Sequence, residues 1–190
     1  WRSRYRPVGP QADILHSQAR FWGQRGIHYH QFLEAGENTL NLKLSRLLMD
    51  SLIAREEYDQ QDYLDRYVAF MTTPGTHNDT YVEECHREFF QAWAPHKKGP
   101  PARLPDEKHI GGLSLALPLL LFYQDRWDTA LHLAEAHLAL THPGPLMRTA
   151  LACFADILHD ILLGADGRQA MQTIRATPLQ RLSGYPFAEL

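Results

Sequence analysis

From Thr39 onward the apolar positions fall three or four residues apart: Leu40, Leu44, Leu47, Leu48 and Leu52 share one face with Ser51, and Leu42 and Met49 widen it. This spacing predicts a helix ending at Glu56 or Glu57. Asp59 can cap a second helix carrying Tyr63, Leu64, Tyr67, Val68, Phe70 and Met71, which Thr72-Thr73-Pro74-Gly75 stops. A third is expected to start at Asp79-Thr80, with Val82, Cys85, Phe89 and Phe90 near helical spacing, followed by a proline-rich polar loop from Ala94 to Pro105. Asp106 to Tyr123 reads as a helix opening under Gly111-Gly112, with Pro118 as the place for a kink. Trp127 to Leu140 and Pro145 to Leu163 follow on either side of Thr141-His142-Pro143-Gly144, and Arg168 to Arg175 forms a last short helix after Gly164.

The stretch from Trp1 to Arg20 is broken by Pro7, Gly9 and Pro10, and Gly23 and Gly26 bracket a turn before His28. No run of five alternating residues competes for a strand. The expectation is therefore an all-α chain, more than half helical, forming a single compact orthogonal helical domain over 1–190. No exact repeat points to a solenoid.

Composition adds little against this. A chain of 190 residues with 44% hydrophobic and 22% charged residues is an ordinary globular protein. Its net charge of -3 and the lack of a Lys/Arg stripe argue against nucleic acid as a partner. Cys85 and Cys153 form no CxxC, so neither a disulfide framework nor a thiolate metal site is indicated. The longest apolar stretch, Leu113 to Tyr123, is too short to span a membrane, and a cytoplasmic location is expected.

Four polar turns are candidates for chemistry. Glu37-Asn38-Thr39 opens the first strong helix; capping by Asn38 or Thr39 explains it, as does an oxygen-rich corner for a hard cation. Thr76-His77-Asn78-Asp79-Thr80 is a second capped start or ligand turn. Gly111-Gly112 can bring backbone donors to a phosphate, although close helix packing explains glycines equally well. His142 lies in a turn between two apolar helices. His28 and His30 make half of an HxH pair without a third ligand, so one is expected to hydrogen-bond inward and the other to face water. Trp22 and Tyr29 read as core or groove aromatics.

Taken in order, the polar tetrad before a leucine-rich helix, YDQQDYLDRYVAF, the glycine segment leading to LALPLLLFY, and THPGPLMRTALACFADILHDILLG resemble the ADP-ribosylglycohydrolase family, which includes dinitrogen-reductase-activating glycohydrolase and the J1 crystallins. The resemblance covers Gly36 to Gly164. It implies an all-helical fold, hydrolysis of the C1'' glycosidic bond of ADP-ribose attached to an acceptor, and a two-metal Mg²⁺ or Mn²⁺ centre built partly on a Thr-Asp-Asp-Thr motif. On that motif Gly36 takes the first position, Glu37 and Asn38 the two aspartates, and Thr39 the last threonine. The resemblance thus makes Glu37 the catalytic residue and Glu37, Asn38 and Thr39 the metal ligands; Gly111, Gly112 and His142, joined by Asp79 from the second polar turn, are the expected ligand-binding set.

The stretch Ile110 to Pro118 corresponds to the family's glycine-rich phosphate loop with its polar and basic members replaced by apolar ones, and no Asp-x-Asp-Thr follows Gly164. Two explanations stay open: a partial copy of a larger fold, incomplete at both ends, or a relative that lost the centre. With one carboxylate where the family has several, weak or absent Mg²⁺ binding is expected. Two functions follow: a metal-dependent glycohydrolase acting on an ADP-ribose-type molecule or an ADP-ribosylated acceptor, or a catalytically inactive relative with no cofactor and a structural, crystallin-like or ligand-binding role. In the first, the Glu37–Thr39, His77–Asp79 and His142 turns are expected to border one cleft.

Overall fold

Side-chain oxygens decide two helix starts in this chain: Asp59 caps one, and Asp79 and Thr80 are engaged elsewhere at another. The computed structural model describes residues 14–22, 24–28 and 30–176, with the backbone alone for 173–176. Gly23 and Tyr29, and the breaks at Pro7, Gly9 and Pro10, lie outside the described residues. The helices are α1 (Leu40–Arg55), α2 (Gln60–Thr72), α3 (Glu84–Trp93), α4 (Leu113–Phe122), α5 (Trp127–Leu138), α6 (Pro145–Leu162) and α7 (Gly167–Ala176), with 3₁₀ turns at His16–Phe21 and Ile110–Gly112. No strand occurs among the described residues. No helix among them is long and apolar enough to cross a membrane.

The chain divides into two compact units, Trp1–Leu104 and Pro105–Leu190. In the first, α1 buries Leu40, Leu44, Leu48 and Leu52 along one face. Leu42 and Met49, expected to widen that face, are exposed instead, because they point away from the stripe that α2 covers. Asp59 caps α2 as its sequence position suggests, accepting from the backbone N–H groups of Gln61 at 2.9 Å and Asp62 at 3.0 Å. The buried face of α2 (Tyr63, Leu64, Tyr67 and Met71) belongs to the core that also holds Phe89 and Phe90 of α3. Tyr67 shares a 2.8 Å hydrogen bond with His86, which satisfies its hydroxyl in the interior.

A charged knot ties α1 to α2. Asp62 accepts from Ser51 Oγ at 2.7 Å, Arg55 Nη2 at 2.8 Å and Arg66 Nε at 2.6 Å. The Arg66 bond, then the Ser51 bond and the Arg55 bond hold its carboxyl down at about 2. Asp62→Ala is expected to cost about 2 kcal/mol, because it leaves the buried Ser51 hydroxyl without its acceptor, whereas the two guanidinium groups still reach water. Arg55→Ala, at the exposed end of the same knot, should cost clearly less, because water and salt screen that guanidinium. Urea unfolding of the two variants checks the contrast; equal losses would mean that the knot is a surface feature.

The expected start of the third helix is corrected by the structure. Residues 79–83 are not helical and α3 begins at Glu84. Asp79 cannot cap because its carboxylate is paired with His30, and Thr80 Oγ1 donates to the His28 carbonyl at 3.2 Å. The Arg87 guanidinium holds the same segment, donating to the Val82 carbonyl at 2.7 Å and lying over the Trp22 ring, which stacks on Tyr81.

In the second unit α4 runs on through buried Pro118 without a break, and α5 packs along it. Pro145 stands at the first position of α6, where its missing N–H costs nothing. Gly164 closes α6 in the left-handed conformation, with φ at +93°, and the Ala165 N–H reaches back to the Asp160 carbonyl.

Candidate functional site

Thr39 occupies the N-cap position of α1 but makes no side-chain cap bond, so capping does not account for the polar tetrad. The residue that organises this corner is Glu37. Its carboxylate accepts from Lys43 Nζ, from Asn78 Nδ2 at 3.2 Å on each oxygen, and from the Glu34 backbone N–H at 2.9 Å. The Lys43 bond first, then the Glu34 N–H, with Asn78 adding to them, bring its carboxyl down to about 2. Glu37 is thus a fixed, permanently ionised group near neutral pH. Asn78 carries the link between the start of α1 and the turn at 76–80.

That turn continues inward. Asp79 is 1% exposed, and its Oδ1 pairs with His30 Nδ1 at 2.8 Å while Oδ2 meets no donor among the described residues. Burial pushes the Asp79 carboxyl up, against the pull of His30, His77 and Lys43. His77 donates through Nε2 to the Ile14 carbonyl at 2.8 Å, which leaves Nδ1 as a buried acceptor that meets no donor among the described residues. Burial holds the His77 ring pKa down, partly offset by the Ile14 bond and by Asp79. The His16 ring lies 5.8 Å from that of His77. Of the HxH pair, His30 turns inward to Asp79 and His28 is exposed.

In the second unit, Gly112 lies directly against the His142 ring. A Cβ on Gly112 would sit 2.6 Å from both Cγ and Cδ2 of that ring. His142 is 1% exposed, and its Nδ1 is 2.8 Å from Thr141 Oγ1. Close packing is therefore a sufficient reason for glycine at 112. Five residues before His142, in the last turn of α5, burial, with His142 as a lesser cause, lowers His137 to about 3.

The sequence-derived candidates thus fall into two groups: Glu37, Asn38, Thr39 and Asp79 in the first unit, Gly111, Gly112 and His142 in the second. Sequence reasoning missed Lys43, and passed over Asn78 and His30 as a cap and a weak metal half-site. The signal for Lys43 was present: a cation in the first turn of a helix opposes the helix dipole. It therefore needs another reason to be there.

The resemblance implies a divalent metal at the Glu37–Asn38–Thr39 corner, and the donor set does not fit one as it stands. The one carboxylate already accepts an ammonium, an amide and a backbone N–H, so a hard cation would meet a resident positive charge and would first have to displace the ammonium from Oε1. No step of the chemistry below is routed through a metal.

A family model described as ADP-ribosylglycohydrolase matches residues 4–189. No curated protein matches the chain.

Proposed function

Because the chain belongs to the ADP-ribosylglycohydrolase family, we propose that it takes an ADP-ribose-type ligand at the Glu37–Asp79 corner and hydrolyses the C1'' glycosidic bond to an acceptor. The observation that carries this is a pair of carboxyl groups driven in opposite directions. Glu37 is held down by Lys43 and a backbone N–H, while Asp79 is pushed up by burial. Two such groups are what glycoside cleavage needs: a carboxylate facing the positive charge that develops at the anomeric carbon, and a proton-bearing partner for the leaving group.

In this reading Glu37 supplies the fixed negative charge. His30, oriented by buried Asp79 and about a third exposed, is the part of the second group that reaches the ligand. The C1''–acceptor bond breaks with its electron pair going to the acceptor, which takes a proton from the His30–Asp79 pair. Water adds its oxygen at C1'' and returns a proton to that pair, so the protein ends as it began. The partner is an ADP-ribosylated acceptor, in the cytoplasm, and no nucleic acid is needed.

A second reading has one observation in its favour. Lys43 neutralises Glu37 directly, which suits a relative that binds the ligand without turning it over.

Calorimetry with ADP-ribose, together with release assays on an ADP-ribosylated peptide, separates the two. The hydrolase reading expects both binding and turnover. It also expects Asp79→Asn and His30→Gln to lower kcat about 100-fold or more, the usual worth of a positioned acid–base group. Binding without turnover would select the inactive relative, and no binding at millimolar ADP-ribose would reject both.

A further inference from the structure

The start of α1 is the place where the resemblance puts a metal ion, and the positive group found there belongs to the chain. We propose that the Lys43 ammonium is the resident cation of this corner, standing where a relative with two aspartates would hold a divalent ion. Lys43 lies at the fourth position of α1, where the helix dipole disfavours a cation, so helix stability does not explain it. Its Nζ contacts Glu37 Oε1 and lies 3.4 Å from the Thr76 carbonyl oxygen. A carboxylate and a backbone carbonyl are the oxygen types that a hard cation takes. The Lys43 and Glu37 side chains are each only 17% exposed, so the pair is largely withdrawn from water.

The surrounding bonds point the same way. Asn78 offers its amide nitrogen to both Glu37 oxygens, and Glu34 adds a backbone N–H. With the ammonium, these donors fill the lone-pair directions of the carboxylate and balance its charge. A divalent ion entering here would find no open oxygen and a positive charge in contact with the one carboxylate. Removing the lysine leaves that carboxylate and the Thr76 carbonyl facing an unneutralised space. The cation site is therefore latent and uncovered by a single substitution.

The family reading enters only in the choice of corner, and the test contains no nucleotide. Its failure therefore leaves the ADP-ribose reading standing, and the reverse also holds.

Mn²⁺ is titrated into the full chain at pH 7, with the free ion followed by electron paramagnetic resonance and folding checked by circular dichroism. The wild type is expected to show no stoichiometric site below about 1 mM. Lys43→Gln should gain one site at least tenfold tighter, Lys43→Gln combined with Glu37→Gln should lose it, and Lys43→Arg, which keeps the charge, should stay silent. A folded Lys43→Gln variant that gains nothing would overturn the proposal. So would a micromolar site in the wild type that Glu37→Gln abolishes, an arm that holds even where the lysine variant does not fold.

Discussion

Moving from pH 7.5 to pH 5 is expected to destabilise the protein by about 2 kcal/mol through His137 alone, rising to on the order of 4 kcal/mol by pH 3. His137 is 2% exposed, and burial, with His142 adding to it, holds its pKa at about 3 against an ordinary value of 6.5. The sign follows from proton uptake. Below pH 6.5 the unfolded chain binds a proton at this ring that the native state refuses until pH 3, so stability falls as pH falls through that window. His77, also lowered by burial, acts in the same sense, whereas Asp79, raised by burial, acts in the opposite one. Glu37 and Asp62, both held at about 2, add their losses only below about pH 4.5. Thermal unfolding at pH 7.5, 6 and 5 separates these contributions. His137→Leu should flatten the slope between pH 6.5 and 5 whatever it does to the melting temperature at pH 7.5. An unchanged slope in that variant would move the effect elsewhere.

Gly112→Ala is expected to cost about 2–3 kcal/mol, and Gly112→Val more, from overpacking. The added Cβ falls 2.6 Å from two ring carbons of His142 and 2.8 Å from Nδ1, closer than packed atoms approach. The ring cannot swing away without giving up its contact with Thr141 Oγ1 and its buried position. Gly167→Ala provides the control. Nothing lies within 4 Å of a Cβ there and the position is helical, so it should be neutral or slightly stabilising. Combining Gly112→Ala with His142→Ala should recover much of the loss of the first substitution, because the clashing ring is gone. A Gly112→Ala variant as stable as the wild type by urea unfolding would mean that the close approach is relieved by a small backbone shift.

The helices that were legible in the sequence are those whose ends are set locally. The α2 start at Asp59, the α6 start at Pro145 and its end at Gly164 depend on residues within one turn of the boundary. The α3 start was not legible, because Asp79 and Thr80 are typical caps whose side chains are taken by His30 and the His28 carbonyl, about fifty residues earlier. The same limit applies to the candidate site. Glu37 could be singled out from its place before a helix, but its partners Lys43 and Asn78 are six and forty-one residues away, and only the fold joins them. Leu42 and Met49 show the converse: helical periodicity alone could not say which edge of a broad apolar face would be left in water. The glycines at 111 and 112 kept both of their meanings in the sequence, and the His142 ring against Gly112 favours packing.

The Glu37–Lys43 pair also changes what this corner requires of its surroundings. A bound ion is recruited from solution, so its occupancy follows the supply of that ion and any chelator competing for it. Lys43 is tethered six residues from its carboxylate by the first turn of α1, and such tethering corresponds to an effective concentration on the order of millimolar or higher. The corner carries its counterion with it, at a dose fixed by covalent bonds, wherever the chain is made and whatever the ionic composition around it.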